Sequence, residues 1–184
     1  MKKESTHISD VSIFCPTIHR DERGTFSETY NTTALKASGL KFECVQENRS
    51  FSKSAFTVRG LHFQITPFAQ AKLIFVQHGR ILDVIVDLRR SSATFGRHAA
   101  FEISAQGGEQ LLVPKGFAHG FCTLEPDTVV TYMLDQHYAP AYERGLHWQT
   151  PALAIEWPCS PAEAILSPKD LALPSEIDRT LCYE

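Results

Sequence analysis

The chain has 184 residues, 43% of them hydrophobic and 21% charged, which suits a folded domain that buries a sizeable core without disulfide or metal staples. A net charge of -3 excludes the basic field with which proteins track DNA or RNA, so any phosphate contact must be local. The five cysteines are scattered and form no C-x-x-C pair, which points to reduced thiols in a cytoplasm rather than a disulfide framework.

The opening MKKESTHISD has the charge of a leader but not the apolar core that must follow one, and no later run approaches membrane-spanning length. Neither secretion nor membrane insertion is expected. VSIFC at 11 to 15 reads as a strand, and Arg23-Gly24 marks a turn inside DERGTFSE. NTTALKASG at 31 to 39 predicts a helix of one or two turns, with a polar cap at its start and Gly39 to end it. VRGLHFQ at 58 to 64, KLIFVQ at 72 to 77, ILDVIVDL at 81 to 88 and QLLVP at 110 to 114 are further strands. His78-Gly79, Gly107-Gly108, Pro114 with Gly116, and Pro126-Asp127 are the turns between strands. Beyond Trp148, prolines at 151, 158, 161, 168 and 174 exclude a long strand, so this tail is expected to wrap the barrel or its mouth. The whole chain, 1–184, reads as a single all-β domain, a sandwich or jelly roll with short helical segments.

Two segments carry chemistry. In VRGLHFQ, strand alternation puts His62 and Gln64 on one face, with Arg59 nearby. A histidine alone in such a strand is more often a hydrogen-bonded core or surface residue, and only its company changes that reading. In VPKGFAHGF at 113 to 121 the chain turns through Pro114 and Gly116 and enters a strand carrying His119. This P-x-G-x-x-H run resembles the second motif of the cupins, small jelly-roll barrels that often hold a metal. Metal-binding cupins pair that histidine with an H-x-H and a glutamate, because a divalent ion needs three or four convergent donors. Here Gln64 follows His62, and Lys72 stands where a carboxylate is expected. A cation there opposes a metal.

Taken together, DERGTFSE at 21 to 28, QENRS at 46 to 50, VRGLHFQ, AKLIFV at 71 to 76, ILDVIVDLRRSSATFG at 81 to 96, VPKGFAHGF, Tyr132 with Tyr138, and LSPKD at 166 to 170 resemble the dTDP-4-dehydrorhamnose 3,5-epimerase family. The likeness runs across roughly residues 10 to 175. It implies a cupin-like double-stranded β-helix, and a reaction that inverts carbons 3 and 5 of a nucleotide-linked 4-keto-6-deoxyhexose with no cofactor and no metal. By resemblance His62 is the base, an imidazole being suited to that task near neutrality. Asp170 orients it, Lys72 faces the C4 oxygen and stabilises an enolate, and Tyr132 returns a proton from the opposite side.

The same resemblance assigns Arg23, Phe26, Glu28, Gln46, Glu47, Asn48, Arg59, His119, Glu143 and Lys169 to substrate contacts, and Tyr138 to stacking on the base. It also implies a homodimer in which an amino-terminal strand carries Arg23 and Glu28 into the neighbouring subunit's site. Tyr132-Met133-Leu134 and HWQTP at 147 to 151 depart from the family pattern and leave room for altered substrate choice. A 3- or 5-mono-epimerase of another nucleotide sugar, a metal-dependent cupin oxygenase or isomerase, and a noncatalytic sugar-nucleotide binder are the competing readings. The last has no need of His62, Lys72, Tyr132 and Asp170 together.

Overall fold

The computed structural model describes all residues except 1, 6, 7 and 9, so the reading of the first ten residues as lacking a leader lies partly outside the described residues. In chain order the strands are β1 (Lys2–Ser5), β2 (Ser12–Cys15), β3 (His19–Asp21), β4 (Gly24–Phe26), β5 (Gln46–Ser52), β6 (Val58–Gln64) and β7 (Lys72–His78). They continue as β8 (Arg80–Asp87), β9 (His98–Ser104), β10 (Gln110–Val113), β11 (Phe117–Thr123), β12 (Thr128–Leu134) and β13 (Glu143–Gly145). Among the described residues six form one sheet in the order β1-β2-β10-β7-β12-β5, five form a second in the order β13-β6-β11-β8-β9, and β3 pairs only with β4. Every pairing between these strands is antiparallel, and from β6 onward the chain passes repeatedly between the two sheets, as in a jelly roll.

Side-chain alternation explains how three layers of core arise from these strands. Ile74 and Val76 of β7, Ile81 and Ile85 of β8, Leu111 and Val113 of β10, Phe121 of β11 and Val130 of β12 meet between the sheets. Each such side chain, fully buried, contributes about 1.5–3 kcal/mol. The other parity of β8 (Val84, Val86) and the adjoining Leu88 faces out, under Leu153 and Cys182 of the tail. Both faces of β8 are thus covered, which is why ILDVIVDL is nearly all apolar. On the six-stranded sheet, Leu73 and Met133 face out against Leu35 and Phe42.

Leu35 belongs to α1 (Thr32–Ala37), where the Asn31 side chain accepts from the Thr33 and Ala34 amides at 2.9 and 3.1 Å. After Trp148 the tail forms no strand beyond isolated bridges at Ile165 and Tyr183. A short helix, α2 (Pro168–Leu171), instead docks against β6, with Pro168 in its first turn and Ser167 capping it.

One expectation needs correction. Arg23 and Glu28 do not lie within a strand: Arg23 occupies the turn between β3 and β4, and Glu28 follows β4. Gly24, with φ of 128°, allows that reversal, and the Asp21 carboxylate holds the Arg23 amide at 2.8 Å and its guanidinium at 2.6 Å.

Candidate active site

A β-bulge sets up the cleft between the sheets. Along β6 and β11 His62 pairs with His119, but Arg59 pairs with Phe121, so β6 gains one residue over its neighbour. The extra residue lets Arg59 and His62, three positions apart, both line the cleft. Strict alternation would have turned them to opposite faces. Gly60 is required at the bulge: its φ is 108°, and a Cβ would lie 2.7 Å from the Gly120 Cα and the His119 carbonyl oxygen.

The tail closes the cleft from the other side. Asp170 on α2 meets His62 with Oδ1 2.6 Å from Nε2. Burial pushes the Asp170 carboxyl up, but the His62 ring, the Ser167 hydroxyl and the Gly60 amide outweigh it and hold the group below the usual carboxylate range. An ionised carboxylate only accepts, so Nε2 carries the hydrogen and Nδ1 keeps the lone pair. The His62 side chain is 29% exposed while that of Asp170 is 6% exposed, so the base is reachable and its partner is not.

Lys72 enters from β7 and is buried, its Nζ donating to the His62 carbonyl at 3.2 Å. Burial pulls its pKa down to about 8, against the opposing charges of Asp83 and Glu143. Tyr132 shares the inward parity of Val130 on β12 and lines the same space. Two adjoining hollows of about 410 and 370 Å³ share His62, Lys72 and Tyr132, volumes suited to a small ligand. The first adds Arg59, His119 and Lys169, and the second adds Gln46, Asn48, Tyr138 and Glu143.

The polar groups around these hollows are prearranged. Glu143 Oε2 accepts from Tyr138 Oη at 2.5 Å and from Lys169 Nζ at 2.6 Å, which ties the exposed Tyr138 ring to α2. Burial raises the Glu143 carboxyl, but Lys169 and Tyr138 bring it below its ordinary value, and Glu143 in turn raises Lys169 and Tyr138. Gln46 donates to Asn48 at 3.0 Å and accepts from the Tyr138 amide at 2.8 Å. Gln64, where metal-binding cupins carry histidine, is fully engaged by the Phe68 and His137 carbonyls and the Ala139 amide. It anchors the loop after β12. Among the described residues no group of three or more His, Cys, Asp or Glu converges as a metal site would require.

Four of the residues singled out in the sequence lie elsewhere. Glu47 has the opposite parity to Gln46 and Asn48 on β5, and it lines a groove of about 680 Å³ with Arg20 and Thr25. Arg23, Phe26 and Glu28 lie on or beside the β3-β4 ribbon, where the Arg23 side chain is 90% exposed and Phe26 72% exposed. Sequence reasoning in turn overlooked Asp83, buried on β8 with Oδ2 2.8 Å from His119 Nε2. A lone acid of inward parity between Ile81 and Ile85 was the available signal.

An all-β, cupin-like fold whose mouth gathers an imidazole with its carboxylate, a buried ammonium and a phenol defines an enzyme equipped to move protons at a substrate carbon. The model of the dTDP-4-dehydrorhamnose 3,5-epimerase family matches residues 5–177, and the chain belongs to that family. A dTDP-4-dehydrorhamnose 3,5-epimerase from Sinorhizobium fredii is 42% identical over 181 residues, spanning 98% of this chain and 92% of the relative. The crystal structure of the Bacillus anthracis enzyme of that name, with TDP and PPi bound, superposes with a TM-score of 0.91 at 47% identity, covering 94% of this chain and 98% of the other. The Legionella pneumophila dTDP-6-deoxy-D-glucose-3,5-epimerase, in complex with dTDP-4-keto-L-rhamnose, gives 0.92 at 37% identity, covering 99% and 97%.

Proposed function

We propose that the protein converts dTDP-4-dehydro-6-deoxy-D-glucose to dTDP-4-dehydro-L-rhamnose by inverting carbons 3 and 5. The carrying observation is the 2.6 Å bond between His62 and Asp170 in a cleft that also holds Lys72 and Tyr132. Both carbons flank the C4 ketone, so loss of either C–H proton leaves an enolate with its charge on O4. His62 Nδ1 takes the proton, and the resulting imidazolium is stabilised by Asp170. The Lys72 ammonium stabilises O4 in a site where burial strengthens its field. Tyr132 delivers a proton to the opposite face and completes the inversion. Neither carbon changes oxidation state, so the reaction needs no redox cofactor.

Arg59 and Lys169 suit the diphosphate, Gln46 and Asn48 suit sugar hydroxyls or base edges, His119 suits a sugar oxygen, and the Tyr138 face suits thymine. The partner's Arg23, Phe26 and Glu28 complete the site in a homodimer, a reading supported by the exposure of Arg23 and Phe26 on a ribbon that joins neither sheet. The shared core between the sheets supports one domain over 1–184. No helix among the described residues is long and apolar enough to cross a membrane, and the five thiols suit the cytoplasm.

Proton NMR with dTDP-4-keto-6-deoxyglucose in deuterium oxide tests the reading. Deuterium at both carbons, with an L-configured product trapped by a reductase, is expected. Exchange at one carbon makes the protein a mono-epimerase, and exchange at neither rejects the activity on this substrate.

A further inference from the structure

Asp83 has no exposed surface. Its Oδ2 accepts from His119 Nε2 at 2.8 Å, yet its Oδ1 is buried with no hydrogen-bond partner among the described residues. A buried carboxylate oxygen left unsatisfied costs more than most folds tolerate without a compensating charge. Lys72 can supply that charge: it is also buried, it lines the same hollow as His119, the hydrogen-bond partner of Asp83, and its ammonium donates to the His62 carbonyl with two hydrogens still available. We propose that Asp83 is a positioning residue of the reaction, the buried counter-ion that keeps Lys72 cationic and fixes the Nε2–H form of His119. This rests on the assignment of Lys72 as the group that stabilises the enolate.

The groups around Lys72 single out Asp83. His62 from β6, His119 from β11, Tyr132 from β12, Glu143 from β13 and Asp170 from α2 all line the hollows that contain it, with Arg59 and Lys169 as further cations. Asp170 is engaged by His62, and Glu143 by Lys169 and Tyr138. Asp83 retains an uncommitted oxygen, and its charge is the largest influence opposing the fall that burial imposes on Lys72. Because an ionised carboxylate can only accept, His119 holds a hydrogen on Nε2 and presents Nδ1 as its other polar atom.

The test compares Asp83→Asn with His119→Ala, following deuterium exchange into substrate from pH 6 to 10 and confirming each fold by cooperative thermal melting. In Asp83→Asn the alkaline limb moves toward acid by a pH unit or more, so turnover drops at least about fivefold more at pH 8 than at pH 6. His119→Ala leaves that limb in place and raises KM. An unmoved limb in Asp83→Asn, or an equal displacement in His119→Ala, overturns the proposal. Nitrogen-15 NMR of the wild-type imidazoles provides a readout independent of turnover: a His119 carrying its hydrogen on Nδ1 alone at pH 7 also overturns it. Should Asp83→Asn fail to fold, Asp83→Ser takes its place in the pH series. Absence of exchange in the wild type would reject the epimerase reading, while the imidazole spectrum would still decide the state of His119.

Discussion

His62 on β6 and Asp170 on α2 lie 108 positions apart and are joined by a 2.6 Å bond that leaves Nδ1 of the imidazole as its basic atom. Asp170→Asn replaces an acceptor with a group that can donate to Nε2 and so favours the wrong tautomer. We expect kcat to fall by about 10²–10⁴ with dTDP affinity unchanged, measured by single-turnover kinetics beside calorimetric dTDP binding. Equal activity in the variant would remove Asp170 from the mechanism.

Tyr132 is expected to matter for inversion and not for proton loss. In Tyr132→Phe the His62 base still forms the enolate but returns the proton to the face it left. Substrate incubated in deuterium oxide should gain deuterium with retained configuration, readable by NMR. Inverted product at the wild-type rate would assign the acid to another group.

The pH dependence follows from burial of Lys72. Its pKa lies at about 8, below the ordinary 10.5, so the ammonium is present below that pH and lost as pH rises through it. Because kcat/KM reports the free enzyme, it should decline above about pH 8. Lys72→Met should lower kcat by about 10²–10³ at pH 7 and abolish that limb. A profile flat to pH 10 contradicts the assigned role.

Tyr138 is half exposed, and its hydroxyl is held by the Glu143 carboxylate. Tyr138→Ala should weaken dTDP binding by about 1–3 kcal/mol, roughly 5- to 150-fold, with a smaller effect on kcat at saturating substrate. Glu143→Ala, which frees both Tyr138 and Lys169, should raise KM. Calorimetry with dTDP and with free thymidine separates stacking from diphosphate contacts.

Asp87 contributes to acid stability. Burial pushes its carboxyl up, but hydrogen bonds from Arg89, Ser92 and Thr94 outweigh this and hold it at about 2. A depressed pKa stabilises the fold above the unfolded value of 3.8 and loses that contribution as pH falls toward about 2. The loss should be about 2 kcal/mol over that window, seen in urea midpoints, and absent in Asp87→Asn.

The strands 72 to 77, 81 to 88 and 110 to 114, the capped helix after Asn31 and the strandless tail were all legible because period, capping and proline act within a few residues. The shared face of His62 and Gln64 followed from the same local rule, and that rule also turns Glu47 to the other face of β5 from Asn48. Family resemblance, not periodicity, supplied the pairing of His62 with Asp170. Only the tertiary structure decided that the bulge at Gly60 swings Arg59 inward, that Asp83 sits beneath His119, and that α2 returns to β6. Alternation orients a side chain relative to its own strand, whereas contact between elements depends on the register and packing of segments distant in the chain.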